Sequence, residues 1–293
     1  AFNRAPWASF NVTSSPGKDV MIIVTYTTNG FGYEPYFALR YVLETGAGWN
    51  GSIGSADIIV KLPYEANAQN VMLVETTGFS TTTPSAQFVG SEIRWHFEDL
   101  EPTSENNIEI SLVGTAYWRK VLDESANVTK NPSDGEAWGR LGKAYKEIVR
   151  MSRFFRSDPA GLEMYRLSLQ AYEKAVTLLP KDALWHYGFA DLLWSHYYLS
   201  HFFRDDVSDL PELVRAADEI RQSLALDPKN QDAKYLASEM ARQYPWSVSE
   251  TDKGYDFLIL TATPTSVPPT ATETPLPEPS STLEPVAIQP SPT

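Results

Sequence analysis

Pro132, Pro180 and Pro228 recur at 48-residue intervals, each closing a stretch whose apolar residues fall at helical spacing. The turns around them are alike: Lys130-Asn131-Pro132, Leu179-Pro180-Lys181-Asp182 and Asp227-Pro228-Lys229-Asn230. The same offset lays Ser152-Arg153-Phe154-Phe155-Arg156-Ser157-Asp158 over Ser200-His201-Phe202-Phe203-Arg204-Asp205-Asp206 with five identities in seven positions, and Leu162 over Leu210. A repeat in register with its own turns points to an internal duplication. A duplicated helical unit buries its apolar face by stacking on its neighbours, which narrows the architecture more than any composition figure does. The repeat runs from about 116 to 246. Its third copy is cut short after Gln243, and residues 232–243 read as a helix that caps the array against solvent.

The flanking regions have other periods. Residues 1 to about 115 alternate with period two: Val20, Ile22, Val24 and Tyr26 on one face, Ile93, Trp95 and Phe97 against Arg94 and His96, and Ile108, Ile110 and Leu112 against Glu109 and Ser111. With further candidates at 7–13, 37–44, 56–62 and 70–76, about seven short strands predict an antiparallel β-sandwich. Residues 247–263 form a linker with one isolated strand, Gly254 to Thr261, expected to dock on the sandwich or the helices because so apolar a lone strand invites aggregation. Residues 264–293 hold nine prolines, six threonines, four serines and no aromatic residue, the composition of a disordered stalk. In polyproline II such a tail extends roughly 90 Å. The fold expected is therefore multidomain, α and β: a sandwich over 1–115, helical repeats over 116–246, the linker, and the tail.

Within the first unit, Trp138-Gly139-Arg140-Leu141-Gly142-Lys143-Ala144-Tyr145 matches W-x2-L-G-x2-Y, and Ser168, Tyr172, Ala175 and Pro180 follow at the spacing of a second helix with small residues at its contact. Ala216, Ile220, Ser223 and Pro228 repeat those offsets. On these residues the stretch 116–246 resembles the tetratricopeptide repeat family. It departs in its period, 48 residues against that family's 34, and in Trp185, which stands one residue out of register with Trp138. The resemblance implies helical hairpins whose first helices line a groove for a protein or peptide partner. At the corresponding offsets stand Lys143 and Lys146, then Tyr187, Asp191 and Trp194, then Tyr235, Glu239 and Arg242. The N-terminal region, through Tyr41 to Trp49 and Phe97 to Thr103, resembles a domain of unknown function in secreted bacterial proteins. That resemblance would place Ala1 inside the domain, with its first strands missing, and brings no catalytic residues with it.

Charge and motifs limit the alternatives. With 24 Lys and Arg against 37 Asp and Glu, the net charge of −13 disfavours nucleic acid and anionic membranes as partners. There is no cysteine, hence no disulfide, thiolate metal site or cysteine nucleophile. No apolar run is long enough to span a bilayer. Gly46-Ala47-Gly48-Trp49-Asn50-Gly51 satisfies G-x-G-x-x-G but leads into a strand rather than a helix, and reads as a hairpin turn. His96, His186, His196 and His201 form no H-E-x-x-H, and no serine lies in G-x-S-x-G. The expectation is a non-enzymatic, secreted or cell-surface scaffold, without metal or cofactor, acting through its helices and anchored by something beyond Thr293. The alternative is a carbohydrate-binding module using Trp7, Tyr33, Tyr36, Trp49 and Tyr64; an unrecognised enzyme ranks below both.

Overall fold

The structure, a computed structural model, describes residues 11–13, 15–48, 50–74, 81–149, 158–202 and 210–257. Antiparallel strands come first and six helices follow. Strands β1 (Tyr36–Tyr41) and β5 (Ile108–Val113) pair with Tyr36 opposite Val113 and Tyr41 opposite Ile108. Strand β4 (Glu92–Leu100) is the centre of a second sheet, flanked by β2 (Ile53–Lys61) and β3 (Gln87–Val89). The period-two reading identifies the inner faces: Ile93 and Trp95 are buried between exposed Arg94 and His96. One core draws on both sheets, with Ile108, Ile110 and Leu112 from β5 packed among Ile93, Trp95 and Leu100 from β4.

Three expectations for this region need correction. Residues 20–26 form no strand, and their side chains are exposed, Met21 to 86%. Alternation measures which face a strand would bury, but a strand exists only as one member of a hydrogen-bonded pair, and no described strand lies alongside. The stretch 70–76 contributes a single bridge, Val71 to Leu112, within its described residues. The Gly-rich stretch is not a hairpin turn either. Residues Glu44–Gly48 form one turn of 3₁₀ helix carrying the chain from β1, in one sheet, to β2, in the other. Trp49 and residues 7–10 lie outside the described residues.

The helices keep the 48-residue step at both sides of each proline turn. Helices α1 (Thr115–Lys130), α3 (Pro159–Leu178) and α5 (Leu210–Leu226) end 48 residues apart; α2 (Gly135–Val149), α4 (Ala183–Phe202) and α6 (Gln231–Gln243) begin 48 residues apart. Asp134, Asp182 and Asn230 occupy the same place in each turn. Their side-chain oxygens accept from the backbone N–H groups of Ala137 (3.0 Å), Leu184 (2.9 Å) and Ala233 (3.0 Å), satisfying donors that the first helical turn leaves open. The most extensive helix contacts join α2 to α3 and α4 to α5, and α4 also touches α2 and α6. Helices α3 and α4 have 20 residues each, so longer helices absorb part of the extra length in the repeat.

Small residues let these helices approach. A Cβ on Gly139 would lie 2.3 Å from the Trp185 ring, and one on Gly142 would lie 2.9 Å from the Tyr172 ring. Helix α6 buries Ala233, Leu236, Ala237 and Met240 and turns its other face outward. The expected lone strand has a partner: β7 (Gly254–Phe257) forms a hairpin with β6 (Val248–Thr251) that packs on α5 and α6. Residues 258–261, the tail 264–293 and most of the two Ser-x-Phe-Phe-Arg heptads lie outside the described residues. Of those heptads, Asp158 caps α3, accepting from the Gly161 N–H at 3.0 Å.

Candidate functional site

Because α2, α4 and α6 start in phase, equivalent faces recur along the array. Of the six positions that the tetratricopeptide resemblance implies on α4 and α6, five line one open cavity of about 350 Å³ between those helices. Tyr187, Asp191, Trp194, Tyr235 and Glu239, all expected from the sequence, line it. Ser195, Tyr198, Leu199, Asp232 and Leu236 complete the wall and were missed. Their signal was present: Tyr198 continues the 187–191–194 stripe by one turn, and Asp232 precedes Tyr235 by three residues on the same helix face.

The aromatic rings of the cavity are held from behind. Trp194 stacks on Tyr198 at 5.6 Å between centroids, and Tyr244 meets the Trp194 ring edge-on, also at 5.6 Å. Tyr235 stands at the rim with 70% of its surface exposed. A floor of clamped rings below a free ring gives preformed apolar contact without ordering many side chains on binding.

The three basic residues expected in this groove are placed elsewhere. Lys146 is buried: its Nζ lies 2.7 Å from Asp191 Oδ2, with the two side chains 10% and 8% exposed, and 5.9 Å from the centroid of Tyr187. It pins α2 to α4 under the groove. Lys143 is exposed and outside the cavity lining. Arg242 is exposed and donates to Glu239 on its own helix. Offsets along the repeat locate a face; whether a lysine there meets solvent or a carboxylate depends on a residue 45 positions away.

Two further polar clusters hold α4 against its neighbours. His186 Nδ1 lies 2.6 Å from Glu219 Oε2 and Nε2 3.2 Å from the Pro180 carbonyl, while Arg215 reaches Glu219 Oε1 at 2.6 Å. The Glu219 carboxylate, with the Pro180 carbonyl, raises the His186 pKa above the ordinary imidazole value against the opposing effect of burial. At the other end, His196 Nδ1 is 2.6 Å from Glu212 Oε2, Tyr165 donates to Glu212 Oε1 at 2.8 Å, and the Tyr165 and His196 rings stack at 3.9 Å. Both sets tie helices together. Among the described residues, no three His, Asp or Glu side chains gather as a metal site, and no helix is long and apolar enough to cross a membrane.

The rings considered for sugar stacking are dispersed. Tyr36 is buried, Tyr64 packs against Trp118 at 6.3 Å and donates to the Val113 carbonyl, and Tyr33 is 79% exposed. Trp7 and Trp49 lie outside the described residues. A second cavity, about 570 Å³, lies between α5, α6 and the β6–β7 hairpin; Arg221, Lys234 and Lys253 line it together with one acid, Asp256. No protein-family model matches the chain, and no curated protein matches it.

Proposed function

We propose that this chain is a non-enzymatic binding scaffold, secreted or displayed at a cell surface, whose tetratricopeptide-like helices hold a protein or peptide segment in the groove between α4 and α6. On this reading the N-terminal strands form a β-sandwich that supports the array, and the Pro/Thr-rich tail is its tether. The observation that carries the reading is the convergence of Tyr187, Asp191, Trp194, Tyr235 and Glu239 on one preformed cavity. Those positions are the ones that the resemblance to the tetratricopeptide family implies, and the helices that carry them start in phase. The volume suits a few side chains of an extended segment, at the small end of ligand pockets of about 300–1,000 Å³.

The test uses the full chain as bait for a displayed library of random dodecamer peptides, followed by fluorescence titration of the enriched sequences. Tyr235→Ala is expected to weaken their binding at least tenfold, because it removes the aromatic ring that α6 presents to the occupant. Because Tyr235 is exposed, the same change should alter unfolding free energy by no more than about 0.5 kcal/mol. Failure to enrich any sequence, or affinities indifferent to Tyr235→Ala, rejects the groove.

A further inference from the structure

We infer that the groove selects a cationic side chain, so that the segment it takes presents an arginine or lysine to the Trp194–Tyr235 face. The inference rests on the groove reading and adds the chemistry of the occupant. The wall contains Tyr187, Trp194, Tyr198 and Tyr235, whose ring faces are negative, together with Asp191, Asp232 and Glu239; among the described residues no basic side chain lines it. Among the described residues, two of its three carboxylates already have cations of their own. Lys146 lies beneath, bound to Asp191, and Arg242 reaches Glu239 from outside the lining. Asp232, in the first turn of α6, makes no ion pair among the described residues.

The protein already accommodates cations in this way. Lys146 Nζ sits 5.7 Å and 5.9 Å from the Tyr172 and Tyr187 centroids while touching a carboxylate, and Arg215 lies 5.5 Å from the Phe189 centroid while touching Glu219. An arginine entering the groove would repeat that arrangement, its guanidinium flat on an aromatic face and its N–H groups on Asp232 or Glu239. A neutral apolar side chain would gain the rings but leave Asp232 partly desolvated without compensation, which disfavours it. An anionic segment would be repelled.

The probes are three short peptides, acetyl-Gly-Ser-Gly-X-Gly-Ser-Gly-amide, with X as arginine, citrulline or leucine. Citrulline keeps the shape of arginine and removes its charge. Binding to the full chain is read from the Trp194 indole N–H resonance, assigned by its loss in Trp194→Phe. The arginine peptide should give a saturable shift and bind about two- to fivefold more tightly than the citrulline peptide, the size of an exposed cation–π contact. The double change Asp232→Asn with Glu239→Gln should reduce that preference to the part that the rings alone supply. If citrulline binds as well as arginine, or leucine binds better at the same indole, the cation preference is overturned and the groove reading stands. If none of the three shifts the indole at millimolar concentration, both are overturned.

Discussion

Gly139 and Gly142 occupy points where two helices meet with no space for a methyl group. In an exposed helix, replacing glycine with alanine gains about 1 kcal/mol. Here the added Cβ would strike the buried indole of Trp185 or the buried ring of Tyr172, neither of which can swing into solvent. Overpacking of this kind costs about 1–3 kcal/mol, so it outweighs the propensity gain. Gly139→Ala is therefore expected to destabilise the protein by about 1–2 kcal/mol in urea unfolding, with Gly142→Ala smaller because its contact is 2.9 Å rather than 2.3 Å. A stabilised Gly139→Ala would mean that α2 and α4 are not packed this closely. His186 carries a prediction of opposite character. Its pKa is raised in the folded state by Glu219, so folding favours the protonated ring. That contribution is fully present below the unfolded value of about 6.5 and is lost as pH rises through the higher folded value. The urea midpoint should thus fall on the alkaline side of neutrality in the wild-type chain. The gap between wild type and His186→Gln should narrow over the same interval. A gap that is independent of pH from about 5.5 to 9 excludes the assignment.

At the scale of elements, the helix boundaries follow from chemistry visible in the chain. Each proline stops one helix, and an Asp or Asn two residues later caps the next, at positions 134, 182 and 230. Asn230→Ala should cost about 1 kcal/mol by removing the acceptor for the Ala233 N–H, whereas Asn230→Asp should be nearly neutral; equal losses from both would point to something other than the cap. The groove was legible for a related reason, since a repeat carries a face from one helix to the next. Five of its wall residues stand at the offsets that the tetratricopeptide resemblance implies. What was not legible depends on partners distant in sequence. Nothing local tells that Lys146 is sealed against Asp191, or that Val20 to Tyr26 find no neighbouring strand despite their alternation; the pairing of residues 248–251 with Gly254–Phe257, by contrast, is local, across a two-residue turn. Strand pairing and ion pairing are properties of two segments, and one segment's periodicity reports on only one of them.

For the whole molecule, the decisive contact is between the strands and the helices. Tyr36 from β1, Met72 and Val113 from β5 belong to the same buried cluster as Trp118, Tyr145 and Ile148 of α1 and α2. Strand β5 is buried on both faces, Ile110 and Leu112 facing the core between the sheets and Val113 facing the helices. The Tyr36 hydroxyl donates to the Ile148 carbonyl, and the Gly114 N–H, just before α1, donates to the Pro35 carbonyl at 2.7 Å. Regions joined only by a linker would unfold separately, each with its own midpoint. A shared core makes separation expensive, because opening either part exposes the apolar surface of both. Heating should therefore produce one transition for β1–β5 and α1–α6, with the calorimetric and van't Hoff enthalpies equal. Tyr36→Phe removes only the hydroxyl that reaches the Ile148 carbonyl, and should cost about 0.5–1.5 kcal/mol. Its effect should lower that single transition as a unit, by near-ultraviolet and far-ultraviolet circular dichroism alike. If the variant instead splits the melt, with the helical signal unmoved while the sheet melts early, the strands are an independent domain resting against the array rather than part of its core.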